Sequence, residues 1–331
     1  MLKRPLGASG IETSAVAFGA WAIGGWKWGG SDADASVAAI RAAIEAGITL
    51  IDTAPVYGFG LSERLVGRAI EGMPRDEVVI ATKCGLVWDR ETPSHHASSE
   101  GHEIYRSCAP ESMRAELHAS LERLGVDHID LYQTHWPDPG RSMPEVAETL
   151  DDFRREGLVR AIGFCNADPD DLRAAAALLD TDQERYSLLD REAERGTLGV
   201  SRSEGLAFLA YSPLAQGLLT GRIDRARTFA ETDLRHASPR FSARARDAVQ
   251  ATLAAVKALS RDRGVPTEQL VLAWTLAQPG VSHVLAGTRS VEQAAINAAA
   301  GNLELSADEL GVVDDAASAW PGFAALEGTG A

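Results

Sequence analysis

The chain has little cysteine and little positive charge, and it lacks any long apolar run. Its three cysteines, Cys84, Cys108 and Cys165, are odd in number and form no C-x-x-C pair, which excludes a disulfide framework and fits a reducing compartment. Thirty-two basic residues face 47 acidic ones, a net charge of −15, which argues against a phosphate-tracking surface, so no nucleic-acid partner is expected. No stretch approaches the roughly 18 uninterrupted apolar residues that span a bilayer, and the opening MLKRPLGASGIETS has no apolar signal core. A cytoplasmic protein with no membrane partner is the expectation. Also absent are G-x-G-x-x-G, G-x-x-x-x-G-K-[ST], H-E-x-x-H and G-x-S-x-G, which removes support for Rossmann dehydrogenases, P-loop enzymes, zincins and α/β-hydrolases. No Pro- or Gly-rich linker divides the chain, so residues 1–331 read as one domain.

What is present is ample core material: 45% of residues are hydrophobic, 24% are charged, and the mean hydropathy is −0.11. Strand-length apolar runs that end in polar residues recur at 48–53, 78–83, 129–135, 159–166, 206–212 and 281–287, the pattern of buried parallel strands opening into loops. Adding 14–21 and 181–187 makes eight. Between them lie helix-start signals, Ser142-x-x-Glu145, Ser290-x-x-Gln293 and Ser306-x-x-Glu309, each reading as a reciprocal capping box. Alternating strands and helices with this count predict a (β/α)8 TIM barrel, an α/β fold whose βα loops build the active-site face. The first 14 or so residues read as an added β-hairpin that plugs the barrel's bottom, and about 317–331 as a tail. Long connections at 84–108 and 213–280 are expected to overhang the site.

Polar residues gather at the predicted strand ends: Asp52 and Tyr57 after the second, Lys83 after the third, His135 after the fourth. Singly, each has an ordinary reading, as a structural ion pair, a packed loop aromatic or a hydrogen-bonded core histidine. Together at one barrel mouth, a carboxylate, an ammonium, a phenol and an imidazole point to a functional site.

The ordered motifs Asp52-Thr-Ala-Pro-Val-Tyr57-Gly58 with Ser62-Glu63, Ala81-Thr-Lys83, Leu131-Tyr-Gln-Thr-His135-Trp-Pro, Ile162-Gly-Phe-Cys-Asn166, Tyr211-Ser-Pro-Leu-Ala-Gln-Gly and Gly287-Thr-Arg289 resemble those of the aldo-keto reductase family. They are most similar to its bacterial branch of stress-response and inositol-operon reductases, over the chain up to about residue 316. The resemblance implies a catalytic tetrad of Asp52, Tyr57, Lys83 and His135 that reduces an aldehyde or ketone with NADPH, or runs the reverse oxidation. Tyr57 would be the general acid, with Lys83 lowering its pKa, Asp52 holding Lys83 charged and His135 polarising the carbonyl. It also implies cofactor contacts from Asp52 and Cys165, from Asn166 and Gln183 to the nicotinamide carboxamide, and from Tyr211 stacked on the ring. Ala20, Trp21, Ser212, Leu214, Ala215 and Gln216 would line the nicotinamide and pyrophosphate. Gly287, Thr288, Arg289, Gln293 and Asn297 would surround the adenosine end. Arg289 beside a helix start is independently a favourable phosphate site, which favours NADPH over NADH.

Three positions depart from the family pattern: Cys165 where a serine is usual, Ile296 where a glutamate commonly approaches the adenine, and Tyr186-Ser187 in place of Tyr-Asn. The thiol is a weaker donor, and modestly weaker cofactor binding is the expectation. Trp21, Trp88 and Trp136, with Tyr57 and His135, are expected to shape the pocket of a small carbonyl or sugar-like substrate. His95, His96 and His102, among Glu91, Glu100 and Glu103, lack rigid helical ligand spacing, so no metal is expected. The arginine-rich segment 222–246 reads either as a lid over the pyrophosphate or as a solvated loop with interleaved acids. Two other functions stay open on the sequence. One is a Schiff-base aldolase using Lys83, against which the neighbouring Asp52 argues; the other is a non-enzymatic, NADPH-binding redox sensor. Oligomeric state is not legible.

Overall fold

The computed structural model describes residues 1–327. Eight parallel strands close into a barrel: β1 (Val16–Gly19), β2 (Leu50–Asp52), β3 (Val79–Cys84), β4 (Ile129–Thr134), β5 (Val159–Cys165), β6 (Thr181–Arg185), β7 (Ala207–Tyr211) and β8 (Val281–Gly287). Each runs beside its successor, and β8 returns to β1 through Gly287 opposite Gly19. Most of these residues are buried on both faces, which is why the sequence shows unbroken apolar runs instead of alternation.

The predicted plug is present. Lys3–Pro5 pairs with Glu12–Ser14, and Leu6 and Ile11 pack against Ala17, Leu50, Leu131 and Leu209 in the barrel interior. Arg4 fastens this floor by donating to the carbonyls of Val281, Ser282 and Leu276 at 2.6, 3.1 and 3.0 Å.

The outer layer is helical: α1 (Ala33–Glu45), α2 (Leu61–Ile70), α3 (Pro110–Leu124), α4 (Met143–Arg155), α5 (Pro169–Ala175), α6 (Thr197–Glu204), α7 (Ala243–Thr252), α8 (Ala254–Arg263), α9 (Thr267–Ala277), α10 (Val291–Ala300) and α11 (Ala307–Ser318). Capping boxes start α4 and α11 as predicted. At α10 the box is not reciprocal. Ser290 accepts from the Gln293 amide, but the Gln293 side chain reaches one residue further back, to the Arg289 N–H at 2.8 Å, which places it against the barrel mouth.

Both long connections carry more structure than the sequence suggested. Segment 84–108 holds a three-stranded antiparallel sheet of Leu86–Val87, His95–Ser99 and His102–Arg106. Its tight turn at Glu100–Gly101 has positive φ at both central residues, the geometry that matches strand twist in a two-residue hairpin loop. Segment 213–280 contains α7, α8 and α9. In the predicted tail, α11 ends at Ser318 and a short helix, Phe323–Glu327, follows, with Trp320 edge-on to Phe323 at 4.9 Å; residues 328–331 lie outside the described part.

Candidate active site

Strand register carries four remote side chains to one end of the barrel. Asp52 ends β2 opposite Gly19 and Ala81, and Lys83 lies near the end of β3 opposite Gln133. Their ion pair is almost fully enclosed: Lys83 Nζ donates to Asp52 Oδ1 and Oδ2 at 2.8 and 2.9 Å and to the Thr53 carbonyl at 2.8 Å. Gln183, from β6 across the barrel, donates to the same Asp52 oxygen at 3.0 Å. Burial acts to lower the Lys83 pKa, but Asp52, Tyr57 and Cys165 together outweigh it and hold the ammonium above its ordinary value. That arrangement speaks against an imine-forming lysine, which must lose its proton.

Tyr57 sits on the turn between β2 and α2. Gly24 and Gly58 bring two backbones together there: a Cβ on Gly58 would meet the Gly24 carbonyl at 2.2 Å, and one on Gly24 the Tyr57 carbonyl at 2.6 Å. Ser62 ties the turn down by bonding to Thr53 and to the Ala20 carbonyl, while Glu63 accepts from Thr82 and Arg123. The Tyr57 ring lies 5.2 Å from Lys83 Nζ and edge-on to His135 at 5.5 Å. Lys83 does pull the phenol toward ionisation, as the sequence suggested. Burial is the larger influence, however, and the net direction is upward, so the hydroxyl keeps its proton. His135 is driven well below the usual histidine range by burial first, then by Lys83 and His96, and is therefore a neutral hydrogen-bond donor.

A cavity of about 670 Å³ opens over this end. Asp52, Tyr57 and His135 line it, as do Trp21, Trp136, Asn166, Gln183, Tyr211, Ser212, Leu214 and Gln216; further along are Gly287, Arg289, Gln293, Ile296 and Asn297. Ala20, Lys83, Cys165, Ala215 and Thr288 are buried just behind the wall. Trp88 is not on the cavity wall: its ring packs edge-on to Phe59 at 5.4 Å, against the apolar cluster of Trp26, Ala54, Val56, Leu86 and Ile104. Tyr186 and Ser187 lie off the wall too, Tyr186 stacked on Trp274 and Ser187 bonded to Asp190. The arginines of 222–246 divide between the cavity and the surface. Arg222, Arg227 and Arg235 reach the wall, whereas Arg240 pairs with Asp190 and Arg225 with Asp247 elsewhere.

The donor set suits a nicotinamide dinucleotide. Asn166 is locked by donating to the His135 carbonyl at 2.9 Å and accepting from the Tyr211 hydroxyl at 2.7 Å. Asn166, Ser212, Ala215 and Gln216, all non-glycine, hold positive φ between 47° and 56°, strain of the kind that persists where a site over-determines the backbone. At the far end, Arg289 donates to the carbonyls of Trp28 and Gly30 at 2.9 and 2.7 Å, and Asn297 to Thr288 at 3.0 Å.

Sequence reasoning did not assign His96 to this wall, nor Glu268 and Arg185. The Glu100-Gly101 turn was the available signal for the hairpin that delivers His96. Among the described residues no three His, Cys, Asp or Glu side chains come together to hold a metal ion, and no helix is long and apolar enough to cross a membrane.

The fold is a closed (β/α)8 barrel, and this constellation lies at the end of its strands where such barrels hold their active sites. A sequence profile of the aldo/keto reductase family matches residues 15–318, and the chain belongs to that family, whose members use a nicotinamide cofactor. It is 39% identical to the NADH-specific methylglyoxal reductase of Escherichia coli K12, covering 92% of this chain and 95% of that protein. It is also 39% identical to the aldo-keto reductase YhdN of Bacillus subtilis 168, over 86% of this chain and 84% of that one. Among solved structures, the glycerol dehydrogenase AKR11B4 of Gluconobacter oxydans superposes with a TM-score of 0.86 at 35% identity, over 96% of each chain.

Proposed function

We propose that the chain reduces small aldehydes or ketones to alcohols, or oxidises the alcohols, by direct hydride exchange with a nicotinamide dinucleotide, with Tyr57 giving or taking the proton. The observation that carries this reading is the enclosed Lys83–Asp52 pair behind Tyr57 and the neutral His135. When bound, the nicotinamide supplies or accepts the hydride. Tyr57 donates its proton to the oxygen left negative, and the phenolate that forms is met by the fixed charge of Lys83. Asp52 keeps that ammonium charged and aimed, and His135 donates to the same oxygen. Positioned acid catalysis of this kind contributes ~10²–10⁴ in rate. Asn166 and Gln183 would hold the carboxamide, and Tyr211 would back the ring.

Arg289 carried the preference for NADPH in the sequence. Its guanidinium is engaged by two main-chain carbonyls, so a 2′-phosphate must compete with them. One relative is named as NADH-specific. Both points support use of NADH alongside NADPH, with Arg289 setting the ratio. The test is the initial rate of oxidation of each dinucleotide with a reactive small aldehyde, in the wild type and Tyr57→Phe. Turnover lost in the variant with dinucleotide binding intact supports the reading. Equal turnover in both proteins refutes it.

A further inference from the structure

The strongest group outside this chemistry is His96, on the first strand of the hairpin 95–106. Its ring packs on Trp136 at 5.3 Å, beside His135, and forms part of the cavity wall. Arg106 donates from Nε to His96 Nδ1 at 3.2 Å; the same guanidinium donates to the Pro137 carbonyl at 3.2 Å and lies 5.3 Å from the Trp136 ring. An arginine can only donate, so Nδ1 carries no hydrogen and the neutral ring bears it on Nε2. Burial and Arg106 hold the His96 pKa down to about 4, keeping the ring in that form at neutral pH. Nε2 has no protein partner among the described residues. A second donor on the wall, Trp21 Nε1, is buried and likewise unbonded.

One carbonyl oxygen has two lone pairs, and Tyr57 with His135 already addresses both. The wall therefore offers more donors than a plain aldehyde can accept. We propose that His96 is a substrate-selecting residue whose Nε2–H donates to a second oxygen, hydroxyl or oxo, on a short, multiply oxygenated carbonyl substrate, with Arg106 fixing the tautomer. The selection rests on the reading of the site as a carbonyl reductase. It follows the rule that a site built to bond a substrate hydroxyl discriminates strongly against the analogue that lacks it, because its own donor is left unpaired.

The test compares kcat/KM for glyceraldehyde and for propanal, with saturating dinucleotide, in the wild type, His96→Leu and His96→Gln. The wild type should favour glyceraldehyde. His96→Leu should lower kcat/KM for glyceraldehyde ~10–100-fold while changing propanal less than about threefold, and His96→Gln, which retains an N–H donor, should recover most of the loss. Retained propanal turnover shows that the variant is folded. Equal losses on both substrates, no loss on either, or a wild-type preference for propanal would overturn the assignment of His96 while leaving the carbonyl-reductase reading intact. No turnover of any carbonyl by the wild type with either dinucleotide would overturn both.

Discussion

Replacing Asp52 by asparagine removes one charge and little volume from the most enclosed ion pair in the site. At 2.8 Å the Asp52–Lys83 attraction is ~6 kcal/mol at an effective dielectric near 20, set against several kcal/mol of desolvation for each ion. Stranding one buried partner typically costs ~3–5 kcal/mol. The asparagine oxygen still accepts one bond from Lys83, so the lower end, ~3 kcal/mol, is expected, with a fall in Tm of roughly 4 °C for a chain of 331 residues. The pH dependence separates electrostatics from packing. In the wild type the Lys83 pKa is raised on folding, so its contribution is complete below the unfolded lysine value and is lost only as pH rises through the folded one. In the variant the carboxylate charge that opposes burial is gone and the folded value drops, so stability climbs with pH up to the unfolded lysine range. Urea unfolding of both proteins at neutral pH and at about pH 9.5 should therefore show the gap narrowing at the higher pH. A penalty under about 1 kcal/mol, or one that is the same at both pH values, would refute an electrostatic origin.

Gly7→Ala should destabilise by ~2 kcal/mol or more, because φ is +55° and a Cβ would sit 2.1 Å from the Asp180 carbonyl; denaturant midpoints check it, and a neutral change would mean the floor hairpin yields freely. His283, buried against the Thr13 hydroxyl at 3.0 Å, has its pKa depressed to about 3, so it is neutral in the fold and the unfolded chain takes up the proton first as pH falls. Stability should drop by ~2 kcal/mol between pH 6.5 and 5 from this group, and unfolding of His283→Gln at the two pH values should show a correspondingly smaller drop. Tyr211→Phe frees Asn166 Oδ1 from its 2.7 Å bond and should weaken dinucleotide binding about fivefold, ~1 kcal/mol, by fluorescence titration; unchanged affinity would show that Asn166 needs no anchor.

The barrel was legible because its strands are buried on both faces and so announce themselves locally. The predicted run 206–212 appears as Ala207–Tyr211, and 129–135 as Ile129–Thr134. The gathering of Asp52, Tyr57, Lys83 and His135 was legible because strand ends and loop face coincide in this architecture. The hairpin sheet of 84–108 was not, since its strands are short and polar and its partner strand Leu86–Val87 has only two residues. The packing of Trp88 on Phe59, off the cavity wall, is likewise a tertiary contact. The place of His96 depends on that hairpin sheet, whereas the sequence offered it only as one of several histidines in a loop.

Composition, periodicity and motif order are properties of neighbouring residues, and they sufficed for the eight-strand barrel, the plugging hairpin and the placing of Asp52, Tyr57, Lys83 and His135 at or just beyond the strand ends. Closure of the barrel decided the rest. It set Gln183 against Asp52 across 131 positions, and it gave Arg289 to the carbonyls of Trp28 and Gly30, some 260 positions away. It enclosed Tyr57 so that burial outweighs the pull of Lys83. Hydrogen-bond partners and dielectric surroundings are set by segments remote in sequence, and only the register and packing of the closed barrel bring those segments within reach.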